Sequence, residues 1–219
     1  MRSTLNALRK QTPKFSYLNR CFGNNNFKIL DVGSGNHSAS KTKSVFPNCE
    51  YHGVDLDKFY NNDESDFTNL HAFYELDLTS SDLDNIPNNY FDFIIMSHII
   101  EHLQNGDQVI LKLLPKLKAG GYIYLEYPGI RSTKLPSMHG TLNFYDDTTH
   151  VRIYSVEEIS FLLKTAGMQV LSAGTRRNLV YLLAMPFRIL SLLVQAKKLH
   201  GMIFWDLLGF AEYVFAKKG

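Results

Sequence analysis

The sequence predicts a single doubly wound α/β domain, and three observations lead to this prediction. Short apolar runs alternate with segments of helical periodicity along the 219 residues, which is the pattern of βαβ units in a parallel sheet. The run 91–96 is apolar at every position except Asp92, as expected for a central strand buried on both faces. No linker rich in Gly, Ser or Pro divides the chain, so one domain over residues 1–219 is expected.

Seven strands and their helices can be placed in order. The predicted strands cover residues 27–32, 51–54, 72–75, 91–96, 122–127, 168–173 and 213–217. Helices are predicted over 38–46 with Ser38 as N-cap, over 106–117 with Gly120-Gly121 as the stop, and over 156–166 with Ser155 and Glu158 as a capping box. The core then spans about 27–175, and an apolar helical insertion over about 178–205 precedes the last strand.

Composition and charge narrow the functional classes. The chain is 45% hydrophobic and 20% charged, with a net charge of +2, as in soluble globular proteins. No continuous basic and aromatic stripe is present, so no nucleic-acid partner is expected. Two cysteines, Cys21 and Cys49, cannot form a disulfide framework, and no apolar signal region is visible. A cytoplasmic location is therefore expected.

The apolar segment 178–205 admits more than one interpretation. Pro186 and Arg188 interrupt its first part, 178–194, which therefore falls short of the roughly 20 apolar residues that a membrane span needs. A packed helix or a dimer face is the commoner role of such a segment. Peripheral membrane contact remains an alternative, because Arg188, Lys197 and Lys198 flank the leucines.

The strongest functional pattern is the run Asp31-Val32-Gly33-Ser34-Gly35 at the end of the first predicted strand. Glycines at a strand-to-helix turn allow a ligand to approach the backbone closely. Asp55 ends the next strand, where a carboxylate can bind a pair of ribose hydroxyls. Nicotinamide-binding folds share these elements, but Ser38 stands where the third glycine of G-x-G-x-x-G would be.

Two further acids lie at predicted strand ends. Asp31 precedes the first glycine by two residues and can meet a cationic amino group, and Asp77 closes the third strand, where it can accept from an adenine amino group. Taken singly, each acid or glycine can serve only a turn or a helix cap. Because ligands of open α/β sheets bind at the carboxyl ends of the strands, Gly33, Gly35, Asp55 and Asp77 together indicate one ligand site.

With these motifs in order, the chain resembles the class I S-adenosylmethionine-dependent methyltransferases over residues 27–175. The shared features are the D-x-G-x-G loop, the acidic end of the second strand, the F-D-x-I strand at 91–94, the E-H-L sequence at 101–103, and the turn 118–122 before strand five. The resemblance implies a Rossmann-like seven-stranded sheet and S-adenosylmethionine as cofactor. It also implies methyl transfer to an oxygen or nitrogen of a small-molecule or glycan-type acceptor.

The resemblance further implies a role for each site residue. Asp31, Gly33, Ser34 and Gly35 would line the methionine portion, Asp55 would bind the ribose, Leu56 would pack on the adenine, Asp77 with Leu78 would bracket the adenine edge, and Ser97 would lie beside the sulfonium. His37 stands where the family often has a third glycine, so the loop is expected to differ there.

His98, Glu101 and His102 are spaced so that they would share one face of a helix. Two imidazoles and a carboxylate form a feasible metal set, and H-x-x-E-H is a known metal motif. In the family that the chain resembles, however, Glu-His after strand four commonly structures the start of a helix without a metal. No metal site is therefore predicted, and activity is expected to survive chelation.

His150 is the predicted general base. It follows the irregular stretch 128–149 and lies in Asp146-Asp147-Thr148-Thr149-His150-Val151-Arg152. This segment resembles one found in bacterial methyltransferases, including some from glycan and secondary-metabolite pathways. Histidine side chains ordinarily titrate near neutral pH, which suits a general base, and Asp146 or Asp147 would hold the ring in its working tautomer. The alternative is a histidine that only anchors the loop before the Ser155 cap.

Two other functional classes remain open from the sequence. One is a nicotinamide-dependent oxidoreductase with a Rossmann-like fold, against which the incomplete glycine motif argues. The other is a protein that binds the nucleotide or S-adenosylmethionine without turnover, because no motif on the acceptor side decides the question.

Overall fold

The computed structural model describes residue 6 and residues 9–79, 82–195 and 197–219. Its strands are β1 (Phe27–Val32), β2 (Cys49–Asp55), β3 (Ala72–Glu75), β4 (Phe91–Ser97), β5 (Leu117–Pro128), β6 (Met168–Thr175) and β7 (Ala211–Lys218). They form one sheet in the order β3-β2-β1-β4-β5-β7-β6. The first five are parallel, whereas β7 runs antiparallel to both β5 and β6. The predicted single-domain, doubly wound α/β fold is confirmed.

Helices cover both faces of the sheet. They are α1 (Pro13–Phe22), α2 (Ser38–Val45), α3 (Glu64–Phe67), α4 (Gly106–Leu113), α5 (Val156–Thr165), α6 (Leu179–Val194) and α7 (Trp205–Leu208). Among the described residues, no helix combines the length and apolar character needed to cross a membrane.

The core consists of two apolar layers, one on each side of the sheet. Alternate residues of β1 and β4 divide between them, so that Leu30 and Ile94 pack with α4 and α5, whereas Ile29 and Phe93 pack with α1 and α2. All four side chains are fully buried. Burial of each such side chain stabilises the fold by about 1.5–3 kcal/mol, which explains the unbroken apolar runs in these strands.

The strand order reverses between β1 and β4, which pair in parallel from Ile29 opposite Phe93 to Val32 opposite Met96. In open α/β sheets a crevice forms outside the carboxyl ends of the strands at such a switch point. The glycine loop after β1, Asp55 at the end of β2 and Ser97 at the end of β4 all lie at this edge. The fold therefore places the predicted site residues along one edge.

The predicted helix boundaries need two corrections. Ser38 is the first residue of α2 and not its cap; His37 is the N-cap and makes no side-chain capping bond. Helix α4 ends at Leu113 in a 3₁₀ turn that contains Pro115, because proline lacks the N–H that a continuing helix would use. Gly120 and Gly121 lie inside β5 and do not stop the helix.

At the start of α5, the first of the two hydrogen bonds of the predicted capping box is present. The Ser155 side chain accepts a hydrogen bond from the Glu158 backbone N–H at 3.1 Å, which satisfies one of the free N–H groups of the first turn. Helix α6 is shorter than the predicted insertion, and it contains Pro186.

Candidate functional site

The glycine loop adopts left-handed backbone at three described positions. Gly33 has φ of 81°, and Asn36 and His37 have φ of 56° and 57°. A residue with a side chain pays about 1–2 kcal/mol for this conformation. His37 offsets it with two contacts: its backbone N–H donates to Asn62 Oδ1 at 3.0 Å, and its Nδ1 lies 2.7 Å from Asp66 Oδ2. The missing third glycine is thus replaced by a histidine held in a glycine-like conformation.

A side chain at either glycine of the loop would meet other atoms of the chain. A Cβ at Gly33 would lie 2.0 Å from Ile99 Cδ1, and a Cβ at Gly35 would lie 2.7 Å from Tyr60 Cδ1 and 2.9 Å from the Tyr60 carbonyl oxygen. Such distances are far inside van der Waals contact.

Asp55 ties the glycine loop to the end of β2. Its Oδ2 accepts from the Gly35 backbone N–H at 3.0 Å, and its Oδ1 accepts from the Leu56 N–H at 2.8 Å. Burial raises the pKa of this carboxyl group, and the backbone donors oppose that rise. Each oxygen keeps a second lone pair, so the carboxylate can accept from a ligand as well.

An exposed apolar patch follows Asp55. Leu56 and Phe59 are each 68% exposed, and Tyr60 is 55% exposed. Exposed apolar side chains that form a contiguous patch can mark a binding surface, and Leu56 directly follows the last residue of β2.

Asp31 is buried and already paired. Its Oδ2 accepts from Tyr51 Oη at 2.7 Å and from Ser38 Oγ at 2.5 Å, and it lies 3.5 Å from Lys14 Nζ of α1. The cationic group that the structure places at this carboxylate is Lys14, a residue of the chain itself. Asp31 therefore joins α1 and α2 to the end of β1.

The remaining predicted cofactor residues differ in their surroundings. Asp77 follows β3 by two residues, and its Oδ1 accepts from the Thr79 N–H at 2.8 Å and Thr79 Oγ1 at 2.7 Å. Leu78 packs against the core, and Ser34 is buried. Ser97 lines a cavity of about 230 Å³ that also includes Lys14, Lys41, Glu126, Arg176 and Tyr181. We call it the Ser97 cavity.

A buried charge network that the sequence analysis missed forms one wall of the Ser97 cavity. Arg176 Nη1 donates to Glu126 Oε1 at 2.8 Å, and Arg176 Nη2 donates to Asp206 Oδ2 at 2.8 Å. Burial acts to raise the pKa of Glu126, but Arg176 and His98 hold it at about 2. The sequence contains one indication of this network. Glu126 is the single acid in the apolar run 122–127, and a charged side chain in a buried strand requires a partner.

His98, Glu101 and His102 do not share a helical face, contrary to the prediction. His98 has φ of 57° and precedes a short 3₁₀ turn, Ile100–His102. Its Nδ1 lies 3.2 Å from Glu101 Oε1 and its Nε2 lies 3.1 Å from Glu126 Oε1. Burial acts to lower the pKa of His98, yet the two carboxylates raise it to about 9. Both nitrogens of His98 are thus used in ion pairs.

His150 lies beside Glu101 and His102 instead. The backbone N–H groups of Val151 and Arg152 donate to the Glu101 carbonyl oxygen at 2.8 and 3.2 Å, which fastens this segment to the turn after β4. The rings of His102 and His150 are 4.9 Å apart between centroids. This long-range backbone pairing explains why residues so distant in sequence meet.

The His150 ring is held by a carbonyl group and not by the predicted aspartates. Its Nδ1 lies 2.6 Å from the Phe144 carbonyl oxygen, which can only accept, so Nδ1 is the donor and, in the neutral ring, Nε2 carries the lone pair. Asp147 Oδ2 lies 3.8 Å from Nε2, whereas Asp146 accepts three backbone N–H bonds within the loop. His150 therefore anchors the loop and also keeps a free basic nitrogen.

A second cavity of about 230 Å³ contains His150; we call it the His150 cavity. It is lined by His98, Glu101, His102, Pro128, Gly140, Thr141, Asp147, His150, Met202, Trp205 and Phe210. His98 lines this cavity, whereas its partner Glu126 lines the Ser97 cavity. The two cavities therefore adjoin across the His98–Glu126 pair.

The seven-stranded sheet, its antiparallel β7 and the site at the carboxyl ends of β1, β2 and β4 define a class I methyltransferase fold. A family model described as a methyltransferase domain matches residues 6–173. The chain belongs to this family, as a class I S-adenosylmethionine-dependent methyltransferase. A comparison with curated proteins finds no match.

Solved structures similar to the chain include an S-adenosylmethionine-dependent methyltransferase from Archaeoglobus fulgidus, at 19% identity and a TM-score of 0.58, covering 100% of this chain and 95% of that one. Phosphoethanolamine N-methyltransferase 2 of Haemonchus contortus, in complex with S-adenosyl-L-methionine, is 17% identical with a TM-score of 0.64, covering 93% and 51%. The [4+2]-cyclase SpnF is 16% identical with a TM-score of 0.58, covering 98% and 80%. Likeness at these identities shows the fold and leaves the acceptor open.

The residues at the carboxyl edge fit S-adenosylmethionine, the cofactor of this enzyme class. Asp55 offers a carboxylate with spare lone pairs beside the exposed Leu56, which suits a ribose diol next to an adenine. The Ser97 cavity carries both ammonium and carboxylate groups, which suit the two charges of an amino acid. When bound, the cofactor supplies a methyl group on a positively charged sulfur, which a nucleophile can attack.

Proposed function

We propose that the protein transfers the methyl group of S-adenosylmethionine to an oxygen or nitrogen of a small-molecule or glycan-type acceptor held in the His150 cavity. The observation that carries this proposal is the free Nε2 of His150 in a cavity that adjoins the Ser97 cavity across His98 and Glu126.

On the cofactor side, Asp55 binds the ribose hydroxyls, Leu56 packs on the adenine, and Asp77 with Leu78 contacts its edge. Gly33, Ser34 and Gly35 support the methionine portion together with Asp31, which acts through its pair with Lys14. Ser97 lies nearest the reacting sulfur. These assignments agree with the positions at the strand ends, where ligands of such sheets bind.

On the acceptor side, His150 is proposed to take the acceptor's proton at Nε2. The Phe144 carbonyl fixes the required tautomer, because it can only accept from Nδ1–H. Methyl transfer is a displacement in line with the bond that breaks, so positioning supplies much of the acceleration and the base adds about 10²–10⁴-fold.

The acceptor is proposed to carry an apolar chain. Met202 lines the His150 cavity and also a groove of about 480 Å³ between α6 and the turn Gly201–Phe204. Ala184, Phe187, Leu192 and Ile203 line this groove. An apolar groove continuous with the reacting end of the site suits a lipid-linked glycan better than a free sugar.

The exposed face of α6 is proposed to rest on an anionic membrane surface. Leu183, Phe187 and Leu190 are 66%, 75% and 59% exposed, and they recur at near-helical spacing. Arg188 projects from the same helix, and Lys197 and Lys198 follow it. Apolar side chains with flanking cations are typical of interfacial helices, and a lipid-linked acceptor would be presented there.

The enzyme is proposed to act in the cytoplasm. Cys21 and Cys49 are both free thiols, and burial raises the pKa of each to about 11, so neither is poised for oxidation.

A screen with labelled methyl groups tests the proposed reaction. Purified protein is incubated with methyl-labelled S-adenosylmethionine and matched acceptors that differ only in an apolar chain, and transfer to O or N of the chain-bearing set is expected. Tight binding of the cofactor with no transfer to any acceptor would favour a binding protein without turnover. Binding of NAD in preference to S-adenosylmethionine would favour the oxidoreductase alternative.

Vesicle sedimentation tests the membrane contact. The protein is expected to sediment with vesicles that contain 30–40% anionic lipid, by about tenfold more than with neutral vesicles, and Phe187→Glu with Leu190→Glu should abolish this. Equal binding by that double variant, or a stable dimer in solution that the same changes dissociate, would assign the face to another partner.

A further inference from the structure

Three side chains in the His150 cavity converge on one point. Glu101, His102 and His150 each offer a ligand atom, and these atoms all lie within 4.8 Å of one another. Metal–ligand bonds of about 2.0–2.2 Å place the ligands of one ion within about 4 Å of each other. Small rotations of the three side chains therefore suffice to bring them around a single ion.

Glu101 contains a buried oxygen that needs a partner. The residue is 1% exposed, and its Oε1 is used by His98. Its Oε2 is buried and has no hydrogen-bond partner among the described residues. An unpaired buried carboxylate oxygen costs a substantial part of its hydration free energy, and a cation bound at this atom would remove that penalty.

Both histidines are oriented as metal ligands are. His102 Nδ1 lies 3.2 Å from the Thr149 carbonyl oxygen and 2.9 Å from Thr149 Oγ1, and His150 Nδ1 lies 2.6 Å from the Phe144 carbonyl oxygen. A carbonyl oxygen can only accept, so each Nδ1 donates its proton and each Nε2 keeps a lone pair. Metal-bound histidines almost always donate their second ring N–H to such a group.

We propose that Glu101, His102 and His150 bind one divalent transition-metal ion. Two imidazoles and one carboxylate suit Zn²⁺, Mn²⁺ or Fe²⁺, whereas Mg²⁺ and Ca²⁺ prefer oxygen ligands alone. Asp147, whose Oδ2 is 3.8 Å from His150 Nε2, adds negative charge at the rim. From the sequence, His98, Glu101 and His102 were considered as a metal set and no metal was predicted there. The trio differs from that set in having His150 in place of His98, which is ion-paired with Glu101 and Glu126.

The consequence for the acceptor rests on the proposed methyl transfer. Three protein ligands leave coordination positions open toward the cavity, so an acceptor hydroxyl can bind the ion directly, which lowers its pKa. The O–H bond then breaks, the proton passes to water, and the oxygen attacks the methyl carbon of S-adenosylmethionine. The bond between that carbon and sulfur breaks, and its electron pair stays on sulfur. In the metal-loaded protein His150 is a ligand, and it acts as the base only in the metal-free protein.

Metal binding can be measured without any acceptor. The protein is stripped with a chelator and titrated calorimetrically with ZnCl₂, MnCl₂ and MgCl₂, and CoCl₂ is added separately to record the visible absorption that nitrogen ligation produces. The structure predicts one equivalent of Zn²⁺ or Mn²⁺ per chain and at least tenfold weaker Mg²⁺. Cofactor affinity is measured alongside, so that a failed metal test leaves the proposed methyl transfer standing.

Variants locate the site. His102→Gln and Glu101→Gln should each weaken binding by at least about tenfold. Thr149→Val removes the hydroxyl that contacts both His102 Nδ1 at 2.9 Å and Asp147 Oδ1 at 2.5 Å, and it should weaken binding by about tenfold. His71→Asn is the matched control, because His71 belongs to a separate His/Glu group with Glu50 and His52. No bound equivalent, unchanged affinity in the folded Thr149→Val and His102→Gln variants, or loss only in His71→Asn would overturn the proposal.

Discussion

Replacement of Asp55 by alanine should weaken cofactor binding in a protein that still folds. In the structure the Asp55 carboxylate accepts from the backbone N–H groups of Gly35 and Leu56 at 3.0 and 2.8 Å. Its spare lone pairs are proposed to accept from the ribose hydroxyls. The change therefore removes a charged acceptor for the ligand and also releases the glycine loop.

The expected size follows from the strength of hydrogen bonds to charged groups, about 1.5–3 kcal/mol. Affinity for S-adenosylmethionine should fall by about 10- to 150-fold, since each 1.4 kcal/mol is a factor of ten. Asp55→Asn should fall between wild type and alanine, because the amide oxygen can keep one backbone N–H bond but has lost the charge.

Isothermal titration with S-adenosylmethionine measures the effect, and circular dichroism checks the fold. Asp92→Ala is the matched control. Asp92 also accepts from a backbone N–H, that of Lys28 at 2.7 Å, and it pairs with Lys118. It lies near the amino end of β4, away from the carboxyl ends of the strands where the site lies. A folded Asp55→Ala variant that binds within about twofold of wild type would refute the ribose assignment.

Three further predictions follow from the geometry. Gly33→Ala should lower the free energy of unfolding by about 2–5 kcal/mol, through left-handed backbone strain and the contact with Ile99. Gly167 has the same φ of 81° and nothing within 4 Å of its Cβ position, so Gly167→Ala should show only the strain. Equal losses of unfolding free energy in the two variants would contradict this. His150→Gln should keep cofactor affinity and lower turnover on an identified acceptor by about 10²–10⁴-fold, and full turnover would remove the residue from the reaction. The pKa of Glu126 is about 2 in the fold and about 4.3 unfolded, so its stabilising contribution is present above pH 4.3 and is lost as the pH falls toward 2; in acid titrations Glu126→Gln should flatten this slope, and an unchanged slope would exclude the mechanism.

The fold was predictable because burial on both faces leaves a clear pattern. Strands 27–32 and 72–75 were predicted to the residue, and the others to within a few positions at their ends, with β5 extending furthest. The position of β7 between β5 and β6 could not be predicted in the same way. The strands that β7 pairs with are set by tertiary packing, which leaves no pattern in the local sequence.

The site was predictable where it depends on strand ends and not where it depends on tertiary contacts. Asp55 and Ser97 lie at the expected edge, but the partners of Asp31 come from α1 and from β2, which no local spacing indicates. The trio around His150 likewise forms because the backbone of 151–152 pairs with the Glu101 carbonyl. Helical spacing suggested His98 instead, since a left-handed residue inside the motif is not visible in the sequence.

The connection between β6 and β7 begins and ends at neighbouring points of the sheet. The Arg176 backbone N–H donates to the Ala211 carbonyl oxygen at 2.8 Å, so residues 177–210 form an excursion between two neighbouring points of the sheet. The excursion contributes Met202, Trp205 and Phe210 to the His150 cavity and contains neither the glycine loop nor Asp55.

The free energy of closing such a loop changes slowly with its length. The excursion can therefore change in length while strand pairing and the cofactor edge stay intact, and under the proposed function such changes alter the choice of acceptor. One residue of the excursion limits how far its sequence can change. Asp206 pairs with the buried Arg176 at 2.8 Å. A transplanted segment must bring its own carboxylate to that position.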